Sequence, residues 1–211
     1  MGNTVGRQFR ISDFQKEFLV GCLLGDGRLE SRSGGKSARL RIHHGEKQKD
    51  LIFWKYEIMR NLVSAAPKKI LCGKTLHPFK VYYSWYFHTL TLQELGVMYR
   101  DFYQENKKIL PENIANMLTP IGLAIWLMDD GCYDDRAIIL NTQNFSLKEQ
   151  ETLKGVLQRK FGLHAGINKD RSNFRLRIVK EDFPILKRIV SHYVIPSMRY
   201  KIVPVTTSHI L

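Results

Sequence analysis

Two apolar stretches that each end in Asp-Gly dominate the hydrophobic pattern of the chain. They cover residues 19–27 and 123–131, and each is uncharged until just before its final glycine. We predict that both are helices buried along most of their length, because a helix that is apolar on every side has no face for water. Each helix would end in one carboxylate, Asp26 or Asp130, and the glycine after it would stop the helix by adopting a left-handed conformation.

The position of these two carboxylates predicts a divalent metal site. The C-terminal end of a helix is partly negative, so an acidic residue there is mildly unfavourable. Two such ends brought together would repel each other unless a cation lay between them. Asp129 is a second carboxylate on the later stretch. The sequence leaves open whether it faces a polar neighbour or makes an outer contact to the metal.

The segments around these stretches repeat in one order: apolar helix, strands, helix, strands, helix. Alternating apolar and polar positions predict strands over residues 38–44, 81–87 and 173–178. Residues 137–142 are predicted to be a strand from their place in the repeat. A Lys-Ile-x-Pro sequence begins at Lys108 in one half and at Lys201 in the other. The repeat predicts an internal duplication with an α+β fold, in which each half has an antiparallel sheet with helices on one face. The two halves, residues 1–110 and 111–211, would pack about a pseudo-twofold axis as one compact unit.

The apolar helices are the natural contact between the two halves. Gly21 and Gly25 lie one turn apart, so one face of the first helix has no side chains to hold a partner away. The second helix has Ile125 and Asp129 at the matching positions. We therefore predict an asymmetric contact.

The charge of the chain predicts a polyanionic partner. Lys and Arg number 33 against 20 Asp and Glu, a formal net charge of +13, and the excess is spread through segments with a folded pattern. The predicted outer sheet faces carry almost no acids. We expect these faces to bind a duplex, with β-ribbons in the major groove, arginines on base edges and lysines on phosphates. The alternative interpretation is that these basic faces are only exposed to solvent and bind no partner.

The candidate DNA-binding residues lie on or beside these faces. They are Arg28, Arg32, Arg39, Arg41, His43, Lys80, Tyr82 and Tyr86 in the first half, and Asn173, Arg175 and Arg177 in the second. His43 and His44 do not suggest a metal centre, because adjacent strand residues point to opposite faces. No apolar run approaches the roughly 20 residues of a membrane span, so no membrane partner is expected.

The two Asp-Gly stretches and several other segments resemble the two-motif, monomeric LAGLIDADG homing endonucleases. The likeness is to the branch that includes the fungal mitochondrial large-rRNA intron endonuclease, and it covers roughly residues 14–204. The segments that carry it are the two motifs with residues 107–111, 118–131, 140–145 and 195–201.

The resemblance implies a pair of αββαββα halves with saddle-shaped sheets over DNA. Asp26 and Asp130 would bind the metal, usually Mg²⁺, with Gly25 and Asp129 as further metal contacts. Mn²⁺ would substitute, and Ca²⁺ would bind without supporting cleavage. Lys108 and Lys201 match the basic residues of the family's catalytic core.

The implied activity is double-strand DNA cleavage that leaves 3′ overhangs at a long, nearly unique site, by a monomer. Leu24, Ile125 and Met128 depart from the family motif at positions that concern helix packing.

A non-cleaving relative is the alternative, either a maturase that binds intron RNA or a DNA-binding regulator. The basic faces suit all three functions, so charge does not separate them. The presence of both acids and both lysines favours the enzyme.

The N-terminal residues lack the apolar core of a secretory signal and are expected to form a short disordered lead-in. That start is compatible with an organelle-encoded or a bacterial protein.

Overall fold

The computed structural model of the protein describes residues 9–76, 79–134 and 137–202. The predicted lead-in falls mostly outside these residues, as does the Val-Pro end of the second Lys-Ile-x-Pro sequence. The α-helices are α1 (Asp13–Leu24), α2 (Lys49–Met59), α3 (Gln93–Phe102), α4 (Ile114–Met117), α5 (Pro120–Asp130), α6 (Leu147–Phe161) and α7 (Phe183–Val190). The strands are β1 (Arg28–Glu30), β2 (Arg39–Gly45), β3 (Lys68–Leu76), β4 (Phe79–His88), β5 (Tyr103–Gln104), β6 (Lys107–Lys108), β7 (Gly131–Asp134), β8 (Ala137–Leu140), β9 (Ala165–Asp170) and β10 (Asn173–Val179).

Two four-stranded sheets share one strand order. The first is β1-β2-β4-β3 and the second is β7-β8-β10-β9, so each sheet places its second and fourth strands at the centre. The pairings of β4 with β2 and β3, and of β10 with β8 and β9, are antiparallel. The predicted α+β class and the internal repeat of sheet architecture are thereby confirmed.

The chain forms two compact units that do not follow its midpoint. One unit contains the described parts of Met1–Lys16 and Leu29–Tyr99, and the other contains those of Glu17–Arg28 and Arg100–Leu211. Most of the first apolar helix therefore belongs to the same unit as the second. The boundary between residues 110 and 111 stays a prediction.

The first unit is a sheet with one face covered by α2. Leu40, Ile42 and Phe87 point to this face and are buried, as are Leu51 and Ile52 of α2. Two edge-on ring contacts join the layers, between Phe53 and Trp85 and between Tyr56 and Phe87. The alternate positions of β2 and β4 point away from α2.

The second unit contains the two apolar helices in direct contact. A Cβ atom on Gly21 would lie 2.4 Å from the carbonyl oxygen of Gly122 and 2.8 Å from Cβ of Ile125. Residues 121–129 of α5 are all buried. The prediction of two buried helices in close, asymmetric contact is confirmed. Gly122 is a further contact residue, which matching the two Asp-Gly stretches position by position did not identify.

The motif glycines serve a purpose other than the predicted one. Gly131 has φ −69° and ψ 140°, an extended conformation that any residue can adopt. Its Cβ atom would lie 2.4 Å from the carbonyl oxygen of Leu127, and that of Gly27 would lie 2.6 Å from the carbonyl oxygen of Cys22. The glycines are therefore needed because the chain turns back tightly against the end of its own helix, and the prediction of a left-handed stop was wrong.

Side-chain hydrogen bonds cap the first turns of three helices. Ser12 and Gln15 bond reciprocally at the start of α1, and Ser146 and Glu149 form the same capping box at the start of α6. The Thr119 hydroxyl accepts from the N–H of Gly122 at the start of α5.

Candidate active site

The acidic ends of the two apolar helices face one cavity. Asp130 is the last residue of α5, and Asp26 lies two residues beyond the end of α1. Both line an open cavity of about 360 Å³. The other lining residues are Gly25, Gly27, Arg28, Tyr103, Asn106, Lys108 and Asn144. The predicted pair of acids is therefore brought together within the second unit.

Asp129 holds the two helix ends in register. Its Oδ2 atom accepts a hydrogen bond from the backbone N–H of Asp26 at 3.3 Å, and its side chain is buried. A Cβ atom on Gly25 would lie 2.6 Å from Cβ of Asp129, so only glycine leaves room for this approach. Asp129 therefore faces a polar neighbour, which is the first of the two alternatives that the sequence left open. Its carboxylate also has an oxygen within 4.8 Å of one from Asp26, which keeps a metal contact open to it.

The two predicted lysines bind backbone carbonyls at the ends of these helices. The Lys108 ammonium donates to the carbonyl oxygens of Gly25 and Gly27 at 2.9 and 3.0 Å. The Lys201 ammonium donates to the carbonyl oxygen of Asp129 at 2.7 Å. A cation at the carboxyl end of a helix offsets its partial negative charge, so each lysine neutralises the end from which an acid projects.

A tight hairpin positions Lys108. The strands β5 and β6 pair Tyr103 with Lys108 and Gln104 with Lys107, which leaves Glu105 and Asn106 as a two-residue turn. Both turn residues have positive φ, 50° and 62°, as a type I′ turn requires. Glu at the first position is unusual for this turn, so the hairpin has only a weak signal in the sequence.

Burial and crowding by acids perturb the ionisation of the site. Burial, together with the charges of Asp26 and Asp129, raises the pKa of Asp130 to about 8, although Lys108 and Lys201 act in the opposite direction. Burial also lowers the pKa of Lys108, against the influence of the three acids. The negative charge of Asp130 is therefore unfavourable in the metal-free site, which is the condition under which a bound cation is favoured.

The donor set fits a hard divalent cation. Mg²⁺ prefers oxygen ligands and keeps several waters, and a water-accessible cavity lined by two aspartates supplies both. The carbonyl oxygen of Gly25 already accepts from Lys108, so the carboxylates of Asp26 and Asp130 are the better donors. Among the predicted metal contacts, Gly25 is thus the least suited.

The predicted DNA-binding residues of the first sheet share the face that points away from α2. The ring of Tyr86 contacts the guanidinium of Arg41 at 5.9 Å and meets the ring of His43 edge-on. Strand alternation places Arg39, Lys80 and Tyr82 on this face as well. Arg28 lines the acidic cavity, and Arg32 is exposed in the loop after β1.

Each sheet also has an acid that the sequence-based description of these faces missed. Glu30 accepts from Arg39 at 2.8 Å and lies 3.6 Å from Arg41. On the second sheet, Asp170 lies 4.0 Å from Arg175 and accepts from Gln143 at 2.9 Å. Arg177 and Asn173 occupy alternate positions of β10, on the same side as Arg175. The faces are basic, but their arginines are oriented by acidic partners.

Three lining residues were not identified from the sequence. Tyr103 on β5 and Asn106 in the turn after it lie outside both motifs, and Asn144 lies in the 140–145 segment that carries the resemblance but was not singled out there. Of the three cysteines, Cys22 is buried in α1, and Cys72 and Cys132 are exposed on β3 and β7.

Known proteins of similar sequence and structure include both endonucleases and mRNA maturases. The chain matches the LAGLIDADG DNA endonuclease family over residues 16–186. It is 32% identical over 194 residues to the cytochrome b mRNA maturase bI2 of Saccharomyces cerevisiae, covering 87% of this chain and 46% of that protein. The maturase of the same name from Debaryomyces hansenii is 30% identical over 191 residues, covering 88% of this chain and 72% of that one. The chain therefore spans about half the length of the first of these relatives.

A solved structure of the homing endonuclease I-WcaI bound to its DNA recognition sequence has the same fold. It superposes with a TM-score of 0.84 at 25% sequence identity, covering 96% of this chain and 95% of that one. The family predicted from the two motifs is confirmed. No helix in the described parts of the chain is both long and apolar enough to span a membrane.

Proposed function

We propose, from the premise that the chain belongs to the LAGLIDADG DNA endonuclease family, that it is a site-specific endonuclease. It would hydrolyse both strands of duplex DNA at a long recognition site, in a reaction that depends on a divalent metal and leaves 3′ overhangs. One chain contains both motif helices, so we propose that it acts as a monomer.

The observation that carries this proposal is the cavity between the ends of α1 and α5. Asp26 and Asp130 line it together, and the ammonium group of Lys108 lies at its wall. A protein that only binds nucleic acid has no need of two carboxylates facing one cavity, since they repel phosphate. Their presence there supports hydrolysis.

Each residue has a separate proposed role. Asp26 and Asp130 would hold Mg²⁺, which on binding would activate a water and neutralise charge on the phosphate. Asp129 orients Asp26 through its backbone N–H. Lys108 and Lys201 fix the helix ends, and Lys108 also places positive charge where the phosphate would develop negative charge.

The basic sheet faces would bind the duplex. The arginines on these faces suit bidentate contacts to guanine, and Glu30 and Asp170 would hold two of them in position for it. The lysines and remaining arginines would contact phosphates.

The test is to incubate the protein with a randomised duplex library and Mg²⁺ and to sequence the ends produced. We expect a single consensus site with 3′ overhangs. The variants Asp26→Asn and Asp130→Asn should abolish cleavage, because each removes a carboxylate ligand of the metal. Duplex affinity should stay within about tenfold, because the new side chain has nearly the same size and carries no positive charge. The control Asp101→Asn changes an exposed aspartate of α3 outside the cavity and should cut normally. Cleavage that survives both Asp26→Asn and Asp130→Asn would refute the proposal.

Binding of intron RNA is a second candidate function, favoured by the similarity to two mRNA maturases. The two functions could coexist in one chain. A splicing assay with a self-splicing-deficient intron would detect this function, and the Asp26→Asn variant separates it from cleavage. The variant should lose cleavage and retain any splicing activity.

A further inference from the structure

The β3–β4 hairpin has a second face that the proposed duplex contacts do not use. We name it the back-face patch and define it by Leu71, Leu76, Phe79, Val81 and Tyr83 with the lysines Lys69 and Lys74. Its inner end is marked by Trp85, which packs against Phe53 of α2. Beyond that contact the hairpin extends past the helix that covers the sheet.

The strand register assigns these residues to one face. Leu76 pairs with Phe79, Lys74 with Val81, and Leu71 with Tyr83. Lys69 pairs with Trp85, whose contact with α2 identifies the side. A bulge between Leu71 and Gly73 keeps both ends of β3 in step with β4. The intervening positions, among them Tyr82, point to the duplex-binding side.

The patch is exposed although it is largely apolar. Leu76 is 76% exposed, Phe79 66% and Leu71 51%, and Tyr83 is 42% exposed. A contiguous exposed apolar surface on a soluble protein usually marks an interaction site. Isolated exposed side chains would need no explanation, but these lie on one strand pair and one face.

The cations of the patch indicate which partner it suits. The Lys69 ammonium lies 4.3 Å from the centre of the Tyr83 ring and 5.9 Å from that of Trp85, and Lys49 of α2 lies 5.1 Å from Trp85. No residue of β3 or β4 is acidic. Glu46 contacts the inner end, where it accepts from Lys69 and from the Trp85 indole. Aromatic rings interleaved with lysines along a strand pair provide stacking surfaces for bases and cations for phosphates.

We propose that the back-face patch binds single-stranded nucleic acid. Phe79 and Tyr83 would stack on unpaired bases, and Lys69 and Lys74 would contact the phosphates beside them. A duplex does not fit this chemistry, because its bases are already stacked and its outer surface is not apolar. The inference deepens the second candidate function and rests on it, but it is independent of the metal chemistry.

The neighbouring residues Tyr82 and Tyr83 provide a matched test. They have the same side chain and similar exposure, 49% and 42%, and point to opposite faces of the same strand. Fluorescence anisotropy would measure the affinity of the full chain for labelled oligouridine and oligothymidine of about 20 nucleotides. Comparing the two affinities shows whether the partner is single-stranded RNA or single-stranded DNA. Duplex cleavage would be measured alongside.

We expect Tyr83→Ala to weaken single-strand affinity about tenfold, and Phe79→Ala to do the same. Tyr83→Phe should retain affinity, because the ring remains. Tyr82→Ala should leave single-strand affinity within about twofold and weaken duplex binding. Tyr83→Ala should cleave duplex at the wild-type rate, and a normal thermal unfolding curve would show that it is folded.

Three results would overturn the assignment of this surface. The first is equal loss of single-strand affinity in Tyr82→Ala and Tyr83→Ala, and the second is no loss in Tyr83→Ala. The third is a change in sedimentation mass with Tyr83→Ala, which would make the patch a contact between copies of the chain. If the wild type binds neither oligonucleotide, the patch assignment fails, whereas the splicing assay still tests binding of intron RNA and the endonuclease proposal stands.

Discussion

The ionisation of Asp130 leads to a prediction about stability that requires no knowledge of the DNA target. Its pKa is raised from 3.8 to about 8 in the folded protein, first by burial and then by the charges of Asp26 and Asp129. A carboxyl group whose pKa is raised on folding binds more protons in the folded state than in the unfolded state. The ionisation of Asp130 should therefore make the metal-free protein lose stability as the pH rises from about 4 to 8.

The size of this loss follows from the shift. Each pH unit is worth about 1.4 kcal/mol, so the shift sets an upper limit of about 5 to 6 kcal/mol. We expect about 2 to 3 kcal/mol, because the cavity is open to water, which screens the charges. A bound divalent cation should offset about half of this loss. At pH 8, 10 mM Mg²⁺ with a dissociation constant of about 1 mM would add about 1.4 kcal/mol, and at pH 5 it should add almost nothing.

Urea unfolding from pH 5 to 8, with EDTA or Mg²⁺, measures both effects. Asp130→Asn cannot ionise, so its unfolding free energy should fall less steeply with pH and should not respond to Mg²⁺. Asp101→Asn, on the exposed surface of α3, should behave as the wild type. The reasoning is refuted if Asp130→Asn retains the wild-type pH dependence, or if Mg²⁺ stabilises the wild type equally at pH 5 and pH 8.

Three further predictions concern helix packing, DNA discrimination and salt. Gly21→Ala would place Cβ 2.4 Å from a backbone oxygen of Gly122 and should cost about 1 to 3 kcal/mol in urea unfolding. The converse change, Gly122→Ala, meets its nearest atoms at 3.2 and 3.3 Å, so it should cost clearly less than Gly21→Ala; equal losses would contradict the close contact. Glu30→Gln frees Arg39 and removes a negative charge, so competition binding should show stronger affinity for random duplex and a smaller preference for the cognate site; an unchanged preference would argue against an orienting role. Specific binding should weaken with salt at a log–log slope of roughly −6 to −9, for about 7 to 10 phosphate contacts, and a flat slope would exclude the basic faces as the binding surface.

The sequence by itself determined the parts of the fold that depend on local pattern. The two apolar helices, the caps at Ser12, Thr119 and Ser146, and the basic alternation of β2 and β10 all follow from spacing and side-chain type. These features need no knowledge of distant residues, since each one is a property of a few adjacent positions. The family could be identified for the same reason, because its motif is one continuous helix end.

Only the tertiary structure decided what meets at those helix ends. Asp129 accepts from the backbone of Asp26, more than a hundred residues away, and Lys108 reaches the cavity from a hairpin whose turn has an unusual glutamate. The role of the motif glycines also changed, because steric proximity to a carbonyl oxygen depends on the path of the chain and not on the residue's own preference. Burial and the summed charge of neighbours, which set the pKa of Asp130, likewise exist only once distant segments are packed around it.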